Sequence, residues 1–409
     1  MQSLTVSARG VFAPRVLFQP TMFLLRPWNV GKIFGIPLRI DPSWLAIFLL
    51  LVYQLGFVVF PYTLGVAWRP GIAWDVLALA VIASLLLFAS VVAHELAHAF
   101  MARWRGVPVL GITLFIFGGV AQIADEPDSP ATEFLIAIVG PLISFVLALL
   151  SGAVWIWLQA LDGLGMFAAT PAQRLVLYVS VVAFYLAQTN LLLAVFNLLP
   201  GFPLDGGRVL RAAMWAMARD QRRATYWGML SGRVMAALLA AGGAYLLWRG
   251  EYGGVWLFLM AWFLWRAAND AYQAMLARDV LKQVTVGELM RAPLQRISET
   301  LSLRELAIAF TGWLKSPALA IDLNGNAVGL VALEQVRKRP AAEWEGLRVR
   351  QVMQPLALET SVQPTDLALR ALELLTRGEQ EQLTVVQDGQ IAGAIGRLEL
   401  ARYLEARGV

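Results

Sequence analysis

Residues 81–100 read VIASLLLFASVVAHELAHAF. An uncharged apolar run leads without a break into His94, Glu95 and His98, and these are the only two histidines in the chain. The stretch from Trp74 to Ala93 is long enough to cross a bilayer core as a helix. A helix continuing through the motif would carry two imidazoles and a carboxylate at membrane depth. Histidines four residues apart on a helix differ by about 40° in direction and about 6 Å in height. Both rings can then reach one tetrahedral metal ion, while Glu95, about 100° round, lies beside that ion and can take a proton from its water. Two histidines placed at random fall four apart about once in 200 arrangements, and requiring the glutamate makes coincidence rarer still. The alternative, two core histidines with a helix-capping glutamate, has to bear three ionisable groups within five membrane residues with no function to retain them.

Around this stretch the chain is 58% apolar and 15% charged, with a mean hydropathy of +0.63, well outside the range of soluble domains. Hydropathy draws six spans, at roughly Trp44–Phe60, Trp74–Ala93, Phe134–Leu158, Leu175–Leu199, Trp227–Trp248 and a shorter Val255–Trp265. Arg9, Arg15, Arg26, Lys32 and Arg39 precede the first span. Arg103 and Arg105 follow the second, and arginines 208, 211, 219, 222 and 223 follow the fourth. The intervening loops are poor in positive charge, so the positive-inside rule places both termini in the cytoplasm. Residues 1–282 hold the basic excess, 19 Lys+Arg against 13 Asp+Glu. That excess therefore reports membrane topology and a lipid bilayer as partner, not nucleic acid. With no cysteine, disulfides and thiolate metal ligands are excluded. No cleavable signal peptide is evident, and the segment from Met22 reads more coherently as a start than that from Met1.

Two apolar stretches do not read as spans. Residues 28–42 (WNVGKIFGIPLRIDP) suggest a short hairpin at the membrane edge. Residues 106–123 (GVPVLGITLFIFGGVAQI) are too broken by glycine and proline for a helix and suit a re-entrant or sheet-like element. The fold class is therefore a polytopic α-helical membrane protein of about six transmembrane helices with a membrane-edge β element, followed by a soluble α/β tail.

A catalytic zinc needs a third protein ligand and an open position for water. No histidine remains, so a carboxylate must serve. Before residue 283 the glutamates other than Glu95 are Glu126, Glu133 and Glu251. Asp205 stands out from all of these, in NLLPGFPLDGGR (197–208), directly after the fourth span and before two glycines that let the backbone turn sharply. Spans two and four run in the same direction, so their ends approach the same leaflet. Alone, LDGG would read as a loop turn with Asp205 as a helix N-cap. Asn197, polar at the end of an apolar helix, can hydrogen-bond a substrate carbonyl or oxyanion, or simply join helices.

HELAH on the second span, GPLIS at 140–144 and NLLPGFPLDGG at 197–207 together resemble the site-2 protease family, intramembrane zinc metalloproteases of the peptidase M50 type. The resemblance covers residues 28 to about 270. It implies that His94, His98 and Asp205 hold one zinc per chain and that Glu95 is the catalytic base. It also implies that Phe117, Gly118 and Gly119 belong to an edge that pairs with an unwound substrate helix, and that Gly140 and Pro141 help pack the core. The implied substrates are single-span membrane proteins such as anti-sigma factors, or signal-peptide remnants, cut in regulated intramembrane proteolysis at the cell membrane. Ser144 stands where many members have asparagine and Asp41 where many have histidine. Neither is expected to touch the zinc set, and both are expected to bear on substrate positioning.

After about residue 282 the composition becomes that of a soluble domain, and the chain divides into an N-terminal segment 1–27, a protease domain 28–275 and a tail 276–409. The tail repeats itself, VGELM at 286–290 matching VRQVM at 349–353 and AVGLVALEQV at 327–336 paralleling IAGAIGRLEL at 391–400. Residues 286–345 and 349–408 resemble a tandem pair of cystathionine-β-synthase-type (CBS) domains. Such pairs often bind adenine nucleotides, and the usual ribose-binding pattern leaves only Glu399 able to act here. A structural or dimerising module is the other reading. Two further classes stay open at this level. A CBS-regulated ion channel or transporter would need polar or broken spans along a pathway. A pseudoprotease is disfavoured because ligands and base are all present.

Overall fold

The computed structural model describes residues 27–65, 73–123, 127–163, 172–292, 294–312, 318–331, 335–336, 339–356, 360–377 and 382–408. The N-terminal segment and the choice between Met1 and Met22 lie outside these residues. Among them the chain divides into two compact units, one running to Tyr272 and the other beginning at Gln273.

The first unit opens with a hairpin of β1 (Trp28–Ile33) and β2 (Ile36–Ile40). Its two-residue turn has positive φ at both Phe34 and Gly35, the geometry that matches the twist of the flanking strands. The first span follows at Ser43–Leu64 (α1), a helix with a π-helical stretch at Leu55–Val59. The second helix, α2 (Ala73–Trp104), runs for 32 residues without glycine or proline, so nothing interrupts it before the histidines. It stops where Gly106 adopts φ 78°. Val107 N–H then bonds Ala102 O at 2.9 Å and Gly106 N–H bonds Arg103 O at 3.0 Å, a glycine-capped helix end.

The broken stretch after α2 forms β3 (Val109–Phe115) and β4 (Gly118–Ile123). They pair antiparallel, while β2 and β3 pair in parallel, giving one four-stranded sheet in the order β1-β2-β3-β4. β4 is therefore an edge strand. Ile36 and Ile112 of this sheet pack on Ala99 of α2, which holds the sheet against the histidine-bearing helix. Four more helices complete the unit. They are α3 (Pro130–Gly163), α4 (Ala172–Asn197), the short amphipathic α5 (Asp205–Ala218) and α6 (Gln221–Trp248), with α7 (Gly253–Leu281) continuing into the second unit.

Five described helices are long and apolar enough to span a membrane: Ser43–Leu64, Trp74–Trp104, Pro130–Gly163, Ala172–Asn197 and Gln221–Trp248. The sixth expected span falls within α7. That helix is long enough, but its apolar part ends at Trp265, after which Arg266, Asn269 and Asp270 follow.

The second unit holds α8 (Val286–Leu289), β5 (Gln295–Ser298), α9 (Leu303–Gly312), β6 (Ala318–Ile321), β7 (Ala327–Val331), α10 (Val349–Val352) and β8 (Gln354–Pro355). It ends with α11 (Ala368–Arg377), β9 (Gln382–Gln387), β10 (Gln390–Gly396) and α12 (Arg397–Ala406). Its repeats exchange their opening segments. Val286 N–H bonds Asp366 O and Ala368 N–H bonds Val284 O, while Val349 N–H bonds Leu301 O and Leu303 N–H bonds Leu347 O. Met290 packs on Gly393 and Met353 on Gly329. Each repeat thus completes the other's core.

Candidate metal centre

Three donor atoms converge where α2, α3 and the start of α5 meet. His94 Nε2 lies 3.1 Å from His98 Nε2 and 3.1 Å from Asp205 Oδ2, and His98 Nε2 lies 3.2 Å from Asp205 Oδ2. Both histidines are buried and Asp205 is mostly so. Ligands at zinc–nitrogen and zinc–oxygen distances of about 2 Å in a tetrahedron stand about 3.3 Å apart. The observed near-equilateral triangle is one face of such a tetrahedron.

The hydrogen bonds on the far side of each ring point to the same reading. His98 Nδ1 is 2.6 Å from Ile136 O. A carbonyl only accepts, so Nδ1 carries the hydrogen, and in the neutral ring Nε2 presents a bare lone pair toward the Asp205 carboxylate. His94 Nδ1 is 2.9 Å from Ser144 Oγ, and donating there likewise frees its Nε2. Lone pairs and a carboxylate gathered out of water repel one another unless a cation lies among them. The residues therefore fit a zinc ion. Ser144, expected to bear only on the substrate, touches the candidate ligand His94 instead, because it lies one turn beyond Gly140 on the α3 face that meets α2. Ser144→Ala is expected to weaken zinc affinity about tenfold; an unchanged affinity in competition with a chromophoric chelator would remove this role.

Close approach, not turn geometry, explains Gly140, Gly206 and Gly207. A Cβ at Gly140 would stand 2.2 Å from His98 Nε2 and 2.7 Å from His94 Nε2. Gly140 therefore leaves room for both imidazoles, beyond the core packing expected of it. A Cβ at Gly206 would lie 2.2 Å from Leu198 O, and one at Gly207 2.4 Å from the carbonyl carbon of Gly201. Neither has a positive φ, so the pair is small to let α5 start against the preceding turn. Asp205 is the first residue of α5, whose cap is the extended Leu204. It is thus not the N-cap that LDGG alone suggested.

Glu95 stands beside the three donors and outside their triangle. Its Oε2 accepts the Ala121 N–H of β4 at 2.8 Å, and a Cβ at Gly119 would be 2.7 Å from its Cγ. The candidate base is thus held by the edge strand. Gly118 opens that strand. Phe117, in the turn before it, stacks on Phe263 of α7 with ring centroids 4.2 Å apart.

Other expected residues lie elsewhere. Asn197 ends α4, and its side chain makes no hydrogen bond among the described residues. Asn190, which the sequence reading passed over, is the buried residue joining helices here, its Nδ2 donating to Ser90 Oγ at 3.2 Å. Asp41 is fully buried and caps the first span, its Oδ1 accepting Ser43 N–H at 2.9 Å. Glu133 is no ligand, because α3 turns it toward Arg211, whose Nε donates to Glu133 Oε1 at 2.8 Å. Arg211 is accordingly buried and not the free loop charge that the topology count assumed. In the tail both Glu399 oxygens are engaged, Oε1 with Arg291 Nε at 2.7 Å and Oε2 with Gly396 N–H at 2.9 Å.

Among known sequences and structures, a sequence model described as Peptidase family M50 matches residues 82–241. A protein of Synechocystis sp. named "Putative zinc metalloprotease sll0528" is 30% identical over 387 residues, covering 92% of this chain and 95% of its own. A Mycobacterium tuberculosis protein named "Putative zinc metalloprotease Rip3" is 32% identical over 379 residues and covers 92% of each chain. The solved structure titled "Site-2 Protease from Methanocaldococcus jannaschii" is 25% identical, covers 60% of this chain and 95% of that one, and superposes with a TM-score of 0.40.

Proposed function

Since this chain belongs to peptidase family M50 and is a multi-pass membrane zinc metalloprotease of the site-2 protease family, we propose that it hydrolyses peptide bonds within or near transmembrane segments of membrane-protein substrates. Family membership decides against the channel or transporter reading. One observation carries the proposal: the candidate base is hydrogen-bonded to the edge strand of a sheet packed on the metal-bearing helix. A substrate helix spends its amides on itself and must unwind before a peptide bond can be attacked. An open strand edge offers the released amides new partners, and β4 would deliver that strand next to Glu95.

In this reading His94, His98 and Asp205 hold the ion and Ser144 and Ile136 fix the rings. Zinc bound there supplies Lewis acidity that polarises the scissile carbonyl and acidifies a water. Glu95 accepts the water's proton and delivers it to the leaving amine nitrogen. Gly118 and Gly119 keep the strand edge narrow, Phe117 borders it, and Asn197 hydrogen-bonds the substrate carbonyl. The substrates are single-span proteins such as an anti-sigma factor, or signal-peptide remnants, processed in regulated intramembrane proteolysis at the cell membrane. Arg219, Arg222 and Arg223, which stay exposed after α5, support a cytoplasmic placement of that end and of both termini.

The test is cleavage of a single-span protein by the full chain in liposomes, with cut sites mapped by mass spectrometry. Cuts inside or at the border of the span, absent with a zinc chelator, are expected. Cleavage confined to water-exposed loops would overturn the intramembrane reading.

The tail acts in this account as a tandem CBS pair, supported by the reciprocal exchange between its repeats. The two engagements of Glu399 favour a structural or dimerising role over adenine-nucleotide sensing. Titration of the full chain with ATP and AMP is expected to release no heat of binding. A saturable signal at millimolar nucleotide would restore the sensing role.

A further inference from the structure

We propose that Glu133, with Arg208 and Arg211, is the device that positions the Asp205 ligand. Asp205 opens a helix of only 14 residues whose far end, from Ala216 to Arg219, is exposed. A helix this short is marginal alone, so the place of its first residue depends on what pins it down. The pin is electrostatic. Arg211 forks its Nε and one terminal nitrogen onto a single Glu133 oxygen, and Arg208 Nε stands 3.7 Å from the same atom. Glu133 is fully buried and Arg211 nearly so. The Arg211 guanidinium also lies 5.7 Å from the centre of the Phe202 ring, in the turn that leads to Asp205. Both arginines fall within two turns after Asp205, and both approach the same Glu133 oxygen.

The placement of Glu133 on α3 makes this a metal-site device and not only a fold contact. Glu133, Ile136, Gly140 and Ser144 lie within about 80° on one helix face. Ser144 meets His94, Ile136 O takes the His98 hydrogen, and Gly140 gives both rings room. Glu133 completes the face by holding the helix of the third ligand. One stripe of α3 thus serves all three ligands: two by direct hydrogen bond and Asp205 through α5. In a site removed from water, a carboxylate left without its arginines, or the reverse, is strongly unfavourable, so the pair admits one arrangement of α5.

The inference rests on the metalloprotease reading and has its own readout. Zinc affinity would be measured by chelator competition on the detergent-purified full chain, for wild type, Glu133→Gln and Arg211→Lys, each with Asp205 intact and in an Asp205→Ala background. Ser144→Ala serves as the control that acts through His94. Glu133→Gln is expected to weaken zinc binding about tenfold with Asp205 present and to add nothing once Asp205 is gone. Ser144→Ala should keep its effect in both backgrounds. An unchanged affinity in Glu133→Gln, or an equal loss in both backgrounds, would reduce the cluster to fold stabilisation and overturn the proposal. If Glu133→Gln does not fold, Glu133→Asp and Arg211→Lys carry the same comparison. Absence of zinc from wild type would instead undo the metalloprotease reading itself.

Discussion

Glu95→Gln is expected to lower cleavage about a thousandfold while the protein keeps about one zinc per chain. The amide has nearly the volume of the carboxylate, so the space against Gly119 and the approach to the Ala121 N–H are preserved. Only the ability to accept a proton is lost. Because Glu95 lies outside the triangle of donor atoms, metal content should not follow activity. Turnover of a membrane substrate and zinc by mass spectrometry, measured on the same sample, check both halves. Loss of zinc together with activity would mean that Glu95 is a ligand, and retained activity would mean that another group is the base.

Gly140→Ala should abolish metal binding and cleavage together, although it adds one methyl group. The Cβ would stand 2.2 Å from His98 Nε2 and 2.7 Å from His94 Nε2. These are the nitrogens that would hold the ion, and the hydrogen bonds to Ser144 and Ile136 O resist rotation of either ring. The neighbouring Pro141 has no N–H to anchor the turn, but α3 is packed on both α2 and α4 and cannot retreat by the ångström or more required. Zinc content below about one tenth per chain, with the chain still folded by circular dichroism, is the expected result. Normal zinc with Gly140→Ala would show that the backbone of α3 yields there and that Gly140 is only a packing residue.

The heart of the site was legible because its chemistry is local or chemically scarce. Two histidines at helical spacing need no third dimension to be read, and with no other histidine or cysteine in the chain a third candidate donor had to be a carboxylate. The remainder was hidden for a definite reason. Glu133 and Arg211 are 78 positions apart, and nothing in either neighbourhood distinguishes a buried pair from an acidic residue and a loop arginine. Ser144 lies 50 positions from His94, and its hydroxyl looks like any small polar group in a span. The two glycines of LDGG suggested freedom to turn, whereas the constraint there is space. A single clue was available for α3, since Glu133, Gly140 and Ser144 recur at helical spacing in an apolar segment.

The fold shows the same division. The interrupted segment 106–123 announced a non-helical element through its glycines, but its partnership with β1 and β2 across α1 and α2 depends on contacts too distant for periodicity to report. The last span blurred because α7 changes character after Trp265 while remaining one helix. Hydropathy reads the apolar half and misses the continuation. In the tail, the repeat was visible as sequence, but the exchange of opening segments between repeats was not.

The most direct test of the central claim is the zinc content of the detergent-purified protein, wild type beside Asp205→Ala. The geometry of His94, His98 and Asp205 predicts about one zinc per chain in wild type and a strong reduction when the carboxylate is removed. Wild-type protein without zinc after reconstitution, or Asp205→Ala protein that binds it as tightly as wild type, would contradict the assignment of this triangle as the metal centre.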